Sequence, residues 1–282
     1  MRIRQSHPIR DRIKLILFLL FLLFVLGKLA MMVYENRQVT QKSTIGTLLK
    51  TALEPVGITM YIWGGGWNGE DNGSGVSSTR LGINPKWEEF AKRQDKDYDF
   101  NNYRYKREIG LDCSGFVGWV LYNTFETKEE QTGYVVSSTD MAESLAKRGW
   151  GQLIKNPKNF LPGDIISMEG HVWICLGTCE DSSVLFVHSS PPGVSVCGTL
   201  SMQQFKNAQE DFDQQSKAVL LATEYMSKYH PRWQKLYPNR EVGLSYLENV
   251  ILFRWNKSVM LDAKEMQQKT AEEILEILSP DM

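Results

Sequence analysis

The residues that most often carry enzyme chemistry are scarce in this sequence, which has 4 histidines and 4 cysteines among 282 residues. Charge of either sign is not in excess. The formal net charge is −1, and a basic cluster occupies the first 34 residues, so the remainder is mildly acidic. That balance argues against nucleic acid as the main partner. The sequence has no internal repeat and no long low-complexity tract, which excludes a repeat protein.

The low cysteine count limits both cross-linking and metal binding. If Cys113 is a free nucleophile, Cys175, Cys179 and Cys197 remain, and an odd number of thiols permits at most one disulfide bridge. A zinc site shared by Cys175 and His171 is disfavoured, because a strand rising about 3.3 Å per residue separates them by roughly 13 Å. We predict no metal and no other cofactor, because catalysis by a thiol and a histidine requires neither. The pairing of the three remaining cysteines stays open.

An unbroken apolar run covers residues 15–27, and counting on to residue 34 gives roughly 30 Å of helix, enough to span a bilayer. The basic residues before it predict a cytoplasmic tail over residues 1–14 and a transmembrane helix over residues 15–34. The catalytic domain would then lie outside the cell membrane, on a single-pass anchor. Lys28 must in that case lie near the outer interface. A cleavable signal segment, which would leave the domain secreted, is the alternative.

A polar linker is expected over residues 35–43, and the order of the elements after it indicates an α+β fold. Apolar residues at helical spacing predict helices near residues 44–53, 113–122 and 139–148. Four short strands follow over residues 161–199, with a last strand at residues 249–255 and a final helix within residues 259–282. Gly, Pro and Ser between the strands favour an antiparallel sheet, and the 42% hydrophobic content suffices for a core.

Cys113 lies where one of these predicted helices begins. The N–H groups and the positive dipole end of a helix stabilise a thiolate, so we expect the pKa of this thiol to fall toward neutrality. His171 opens one predicted strand, and His188 closes another. A lone buried cysteine is usually a small hydrophobic residue and a lone histidine a structural one. The three residues together indicate nucleophilic catalysis.

Five short blocks of the chain, taken in order, carry a resemblance to a known family. They are Tyr61-Ile-Trp-Gly-Gly, Leu111-Asp-Cys-Ser-Gly-Phe, Leu161-Pro-Gly-Asp-Ile, His171-Val-Trp-Ile-Cys-Leu-Gly and Phe186-Val-His. In this order they resemble the NlpC-type bacterial cell-wall cysteine peptidases, over residues 44–199 with residues 249–255 as a final strand. The resemblance implies a papain-like fold, in which a cysteine-bearing helix packs on a small antiparallel sheet, and a catalytic domain over residues 44–258.

The resemblance also implies a substrate and residue roles. The substrate is a peptidoglycan stem peptide, cleaved between γ-D-glutamate and a diamino acid. Cys113 corresponds to the nucleophile, His171 to the general base, and His188 to the residue that orients the base.

Three further residues receive roles by the same resemblance. Tyr61 lies beside the cysteine and helps to bind the oxyanion or the substrate. Asp112 and Ser114 flank the nucleophile and contact the substrate.

Two long insertions, residues 67–110 and 200–248, depart from the compact family pattern and are placed to line the substrate groove. They leave the choice of bond open. An N-acetylmuramoyl-L-alanine amidase on a similar scaffold is one alternative, although the Tyr-x-Trp-Gly-Gly block and the second histidine favour the peptidase. A non-catalytic protein that binds the cell wall or joins a secretion complex is the other.

Overall fold

The computed structural model describes residues 15–28, 43–129, 131–201, 215–239 and 242–279. The chain divides into two units, Met1–Gln41 and Lys42–Met282. Within the first unit, residues 15–28 form a helix whose apolar side chains are exposed. The predicted basic tail, and all of the predicted linker except Ser43, lie outside the described residues.

The prediction of a transmembrane helix over residues 15–34, and of a single-pass membrane localisation, is wrong. The helix is described over residues 15–28, which is about 21 Å at 1.5 Å per residue, against roughly 30 Å for the hydrocarbon core of a bilayer. Residues 29–34 lie outside the described residues. No helix in the described ranges is both long enough and apolar enough to cross a membrane.

The second unit contains helices before, within and after a sheet. Its described α-helices are α1 (Ile45–Leu53), α2 (Pro85–Lys92), α3 (Cys113–Phe125), α4 (Met141–Lys147), α5 (Lys217–Tyr229), α6 (Pro231–Leu236) and α7 (Ala271–Leu278). Its described strands are β1 (Met60–Tyr61), β2 (Gly110–Leu111), β3 (Gly151–Lys155), β4 (Ile165–Met168), β5 (His171–Thr178), β6 (Val184–Ser190), β7 (Gly193–Gly198) and β8 (Ile251–Trp255). Short 3-10 helices cover Phe100–Tyr103, Leu244–Tyr246 and Met266–Gln268.

The described strands form one sheet in the order β2-β1-β7-β6-β5-β4-β8-β3. Every neighbouring pair is antiparallel except β1 and β2, which run parallel. The expected fold of a small antiparallel sheet behind a transmembrane helix is therefore wrong: the fold is mixed α and β, on a curled sheet of eight strands. Strands β1 and β2 have two residues each and show no alternation of apolar and polar side chains, so their sequence carries no strand signal.

Helix α3 is the element that brings the cysteine to the sheet. Nearly all its side chains are buried, as expected for a helix that is apolar on every face. It packs against strands β5 and β6 and against helix α1. The core on this side of the sheet includes Ile174 and Val187, whereas Trp173 and Phe186 belong to a second cluster on the opposite face. Each of these fully buried side chains contributes about 1.5–3 kcal/mol to folding.

The insertion at residues 67–110 is an ordered part of the second unit. Its helix α2 inserts the buried Trp87 edge-on against Trp119 of α3, with ring centroids 5.7 Å apart. The guanidinium of Arg232 donates to the carbonyls of Ala91 and Lys92, at the C-terminal end of α2, where a cation is favoured by the helix dipole. These contacts hold the insertion against α3, through Trp119, and against α6, through Arg232.

Candidate active site

Cys113 is the first residue of α3, and the preceding Asp112 caps that helix. One carboxylate oxygen of Asp112 accepts the Gly115 N–H at 2.7 Å and the Ser114 hydroxyl at 2.8 Å. The other carboxylate oxygen accepts the N–H of Gly64 at 3.2 Å. The aspartate therefore fixes the first turn of the helix and ties it to the glycine block that follows β1.

The three glycines that follow β1, Gly64–Gly66, form the glycine block. They contact the first turn of α3 so closely that no side chain would fit at the contact. A Cβ on Gly115 would lie 2.0 Å from the carbonyl oxygen of Gly65, and one on Gly66 would lie 2.6 Å from the Cα of Gly115. Gly66 also has φ of +91°, a conformation that L-residues rarely adopt. The glycines in this motif serve the close approach of two backbones at the start of α3.

The sulfur of Cys113 lies against the beginning of strand β5. Its Sγ is 3.9 Å from the carbonyl oxygen of Gly170, and the N–H of Val172 also faces it and lowers its pKa. Gly170 and Val172 are the residues on either side of His171. Helix α3 therefore delivers the thiol to the stretch of backbone that carries the predicted base.

The two predicted catalytic histidines are hydrogen-bonded to each other. Nε2 of His171 lies 2.9 Å from Nδ1 of His188. If His171 is to accept a proton at Nδ1, its Nε2 must carry the hydrogen and donate it to His188. No described residue forms a hydrogen bond with Nδ1 of His171. In this arrangement of hydrogens, Nδ1 of His171 is left as an unprotonated, basic nitrogen.

Tyr246 packs against the histidine pair. Its ring centroid lies 5.5 Å from that of His171 and 6.1 Å from that of His188. The residue comes from the insertion at residues 200–248, in a region without helical or strand periodicity. Sequence reasoning missed it, because no local pattern predicts which residue of a long connection reaches a site.

Burial dominates the electrostatics of the thiol and the histidines. It raises the pKa of Cys113 to about 12, with the Asp112 charge as a second cause and nearby backbone N–H groups acting in the opposite direction. It lowers the pKa of His171 to about 4. The pKa of His188 is lowered well below its usual range by burial and by the neighbouring His171.

These shifts correct the expectation of a thiol with a depressed pKa. The helix terminus does favour the thiolate, but removing the sulfur from water opposes it more strongly. At neutral pH the resting site therefore holds a neutral thiol and neutral imidazoles.

Tyr61, on strand β1, lies on the thiol side of this arrangement. Tyr61 is buried and lies opposite Leu111 in the parallel β1–β2 pair. Leu111 precedes Cys113 by two residues. Burial raises the pKa of Tyr61, and the charges of Cys113 and Asp112 add to that effect. The phenol therefore keeps its proton and can donate it in a hydrogen bond.

A groove of about 350 Å³ opens beside the sulfur. The predicted residues Tyr61, Asp112, Cys113 and Ser114 all line it, whereas the two histidines are not among its lining residues. The insertion at residues 67–110 adds Trp67, Asp71 and Tyr105, and the connection before α4 adds Ser137 and Ser138. The groove is thus bounded by segments that are far apart in sequence.

Asp112 and Ser114, predicted to contact substrate, already have partners within the protein. The Ser114 hydroxyl donates to Asp112 and accepts the indole N–H of Trp67 at 3.0 Å. The observed role of both residues is to hold the first turn of α3 and the groove wall. Trp67, which directly follows the glycine block, is a residue that sequence reasoning missed.

Of the other three cysteines, Cys197 lies near Tyr246. Burial raises the pKa of that tyrosine, and Cys197 adds to the effect. All four thiols are free and buried. Within the described part of the chain, no group of three or more His, Cys, Asp or Glu side chains is placed to hold a metal ion.

Comparison with family models, with curated proteins and with solved structures found no match for this chain. The resemblance to the NlpC-type peptidases therefore stays a prediction that rests on the five sequence blocks. The function has to be argued from the geometry of the site and from those blocks.

Proposed function

We propose that this chain is a cysteine peptidase that hydrolyses an amide bond of a peptidoglycan stem peptide through a thioester on Cys113. One observation carries the proposal. A thiol at a helix N-terminus opens onto a groove and lies against the backbone on either side of His171, whose Nε2 is held 2.9 Å from His188. Acyl transfer by a thiol requires a nucleophile, a base and a group that orients the base, and the placement of Cys113, His171 and His188 supports these three roles.

In the first step the sulfur attacks the amide carbonyl as Nδ1 of His171 takes the thiol proton. A bond forms between the sulfur and the carbonyl carbon, and negative charge develops on the oxygen. The Cys113 N–H, one of the helix N–H groups without an intrahelical partner, and the protonated Tyr61 hydroxyl are the donors that would stabilise this oxyanion. The C–N bond of the amide then breaks as the imidazolium gives its proton to the leaving amine, and the thioester remains.

In the second step water attacks the carbonyl carbon of the thioester as His171 removes a proton from the water. The C–S bond then breaks, the product leaves with its new carboxyl group, and His171 returns the proton to the sulfur of Cys113. His188 acts in both steps through His171. It accepts the hydrogen on Nε2 of His171, so that Nδ1 of His171, on the other side of the ring, stays unprotonated and can act as the base. Burial supports this role, since a protonated His188 could not accept that hydrogen bond.

The substrate class comes from the sequence blocks, which resemble those of peptidases that cut between γ-D-glutamate and a diamino acid. The groove is consistent with a peptide substrate, because the aromatic residues Tyr61, Trp63, Trp67 and Tyr105 line it together with Cys113. The insertion at residues 67–110 contributes Trp67, Asp71 and Tyr105 to the groove lining.

The test is mass spectrometry of purified peptidoglycan after incubation with the full chain. Wild type, Cys113→Ala and Cys179→Ala are compared, since Cys179 is as buried as Cys113 but lies beyond the other end of β5. We expect fragments split after γ-D-glutamate from wild type and Cys179→Ala, and none from Cys113→Ala. Whole stem peptides would instead identify an amidase. An absence of products from walls of every chemotype would favour a binding protein.

A further inference from the structure

Two arginines of the insertion at residues 67–110 stack on aromatic rings at the groove. The Cζ atom of Arg104 lies 5.5 Å from the ring centroid of Trp63 and 5.9 Å from that of Phe100. The Cζ atom of Arg107 lies 4.9 Å from the ring centroid of Tyr105. Stacking on rings restricts the motion of a guanidinium while leaving its N–H groups available at the edge.

The two arginines differ in whether their charge is neutralised. Arg107 is paired with Asp71, with an N to O distance of 2.5 Å. Arg104 is exposed and forms no salt bridge with any acidic side chain in the described ranges. A guanidinium held in place without an anionic partner is suited to bind a carboxylate through two parallel hydrogen bonds.

Arg104 lies near Tyr61 and Trp63, two residues that line the groove. Phe100, on which it stacks, packs edge-on against Tyr61 with centroids 5.3 Å apart, and the charge of Arg104 lowers the pKa of Tyr61. The N–H of Tyr105 donates to the carbonyl of Trp63 at 2.8 Å, which fixes the backbone next to Arg104 to the groove wall. The position of Arg104 is therefore set by Trp63, which lines the groove together with Cys113, and by Phe100.

We infer that Arg104 binds the free α-carboxylate of the γ-linked glutamate on the acyl side of the scissile bond. The inference rests on the proposed function. A γ-linked glutamate differs from an ordinary residue because its α-carboxylate is not consumed by the peptide bond and remains an anion close to the reacting carbonyl. The arginine would thus select a γ-glutamyl peptide with a free carboxylate over its amidated form.

The test combines a change in the ligand with a change in the protein. Binding to the full chain carrying Cys113→Ala is measured by calorimetry with two stem peptides, one with the free α-carboxylate and one with an α-carboxamide. Both peptides end in a C-terminal amide, so the terminal carboxylate cannot contribute. The protein variants are Arg104→Gln, Arg104→Lys and, as the matched arginine, Arg107→Gln.

We expect Arg104→Gln to weaken binding of the carboxylate peptide about tenfold and to change binding of the carboxamide peptide by less than about twofold. Arg104→Lys should retain part of the preference for the carboxylate peptide. Lysine keeps the positive charge but cannot donate two parallel hydrogen bonds to one carboxylate. Arg107→Gln should change the two affinities by the same factor. Retained binding of the carboxamide peptide would also show that the Arg104→Gln protein is folded.

Two results would overturn the inference in distinguishable ways. If the protein with the native Cys113 cleaves stem peptides but Arg104→Gln affects both peptides equally or neither, the inference fails and the proposed function stands. If that protein cleaves neither peptide and the Cys113→Ala protein binds neither, the proposed function fails and the inference fails with it.

Discussion

The two ends of strand β5 offer similar thiols in different surroundings. The sulfur of Cys113 lies at the start of the strand, and Cys179 directly follows its end. Both residues are 7% exposed. Burial raises the pKa of the first thiol to about 12 and that of the second to about 11. Neither burial nor thiol pKa distinguishes the two cysteines.

Each end of β5 also has an aspartate that serves the N-terminus of a helix. Asp112 accepts the Gly115 N–H of α3 at 2.7 Å, and Asp181 accepts the Lys217 N–H of α5 at 2.8 Å. The start of the strand adds a hydrogen-bonded histidine pair and a groove that reaches the sulfur. A buried thiol near a capped helix is therefore not a catalytic site until a base and an opening are added.

The largest expected effect separates the two thiols. Cys113→Ala should lower amide hydrolysis by about 10⁴-fold or more, because no thioester can form, whereas Cys179→Ala should leave the rate unchanged. Initial rates on a fluorogenic γ-D-glutamyl peptide measure both. Retained activity in folded Cys113→Ala would remove the difference between the two ends of β5.

The next effect separates the members of the histidine pair. His171→Ala should lower kcat/KM by about 10³-fold, since it removes the proton acceptor. His188→Ala should cost less, about 10–100-fold, because it removes only the group that orients the base. His230→Ala, a histidine outside the site, serves as the control. The reverse order of the first two losses would mean that base and orienting residue are exchanged.

A smaller effect concerns the two aspartates that accept a backbone N–H at a helix start, Asp112 as the cap of α3 and Asp181 beside the Ser216 cap of α5. Asp112→Ala removes the acceptor for a buried backbone N–H as well as a helix cap, so it should lower the free energy of unfolding by about 3 kcal/mol. Asp181 is only partly buried, and Asp181→Ala should cost about 1 kcal/mol. Urea denaturation followed by circular dichroism measures both. If the two variants lost equal free energy of unfolding, the greater burial of Asp112 would not make its hydrogen bonds worth more than those of Asp181.

The smallest effect is a shift in pH dependence. Because burial holds the pKa of His171 at about 4 and the neutral base is required, kcat/KM of the wild type should persist until the pH falls to about 4. Tyr246→Ala should admit water to His171 and His188 and so reduce the effect of burial on the pKa of His171. The pH at which kcat/KM falls on the acid side should therefore rise by about one unit. Tyr246→Phe keeps the ring and should leave it in place. An unchanged pH dependence of kcat/KM in Tyr246→Ala would show that other groups exclude water from the two histidines.

Much of the local structure could be predicted from sequence. Thr44 caps α1 and Asp112 caps α3, as residues of these types do when an apolar helical pattern follows. Strands β4 to β8 lie in or beside the predicted segments because their apolar runs are bounded by turn residues. The extent of the sheet could not be predicted, since β1 and β2 are stabilised by pairing with strands distant in sequence.

The residues themselves determined which groups stand at the helix start and on the neighbouring strands: Asp112 and Cys113 in succession, and His171 and His188 on adjacent strands. Caps and strand periodicity depend on neighbours within a few positions, so sequence order suffices for them. The tertiary structure alone decided the 2.9 Å contact of the histidines, the raised pKa of the thiol and the place of Arg104 at the groove. These properties depend on burial and on distances through space between residues far apart in the chain.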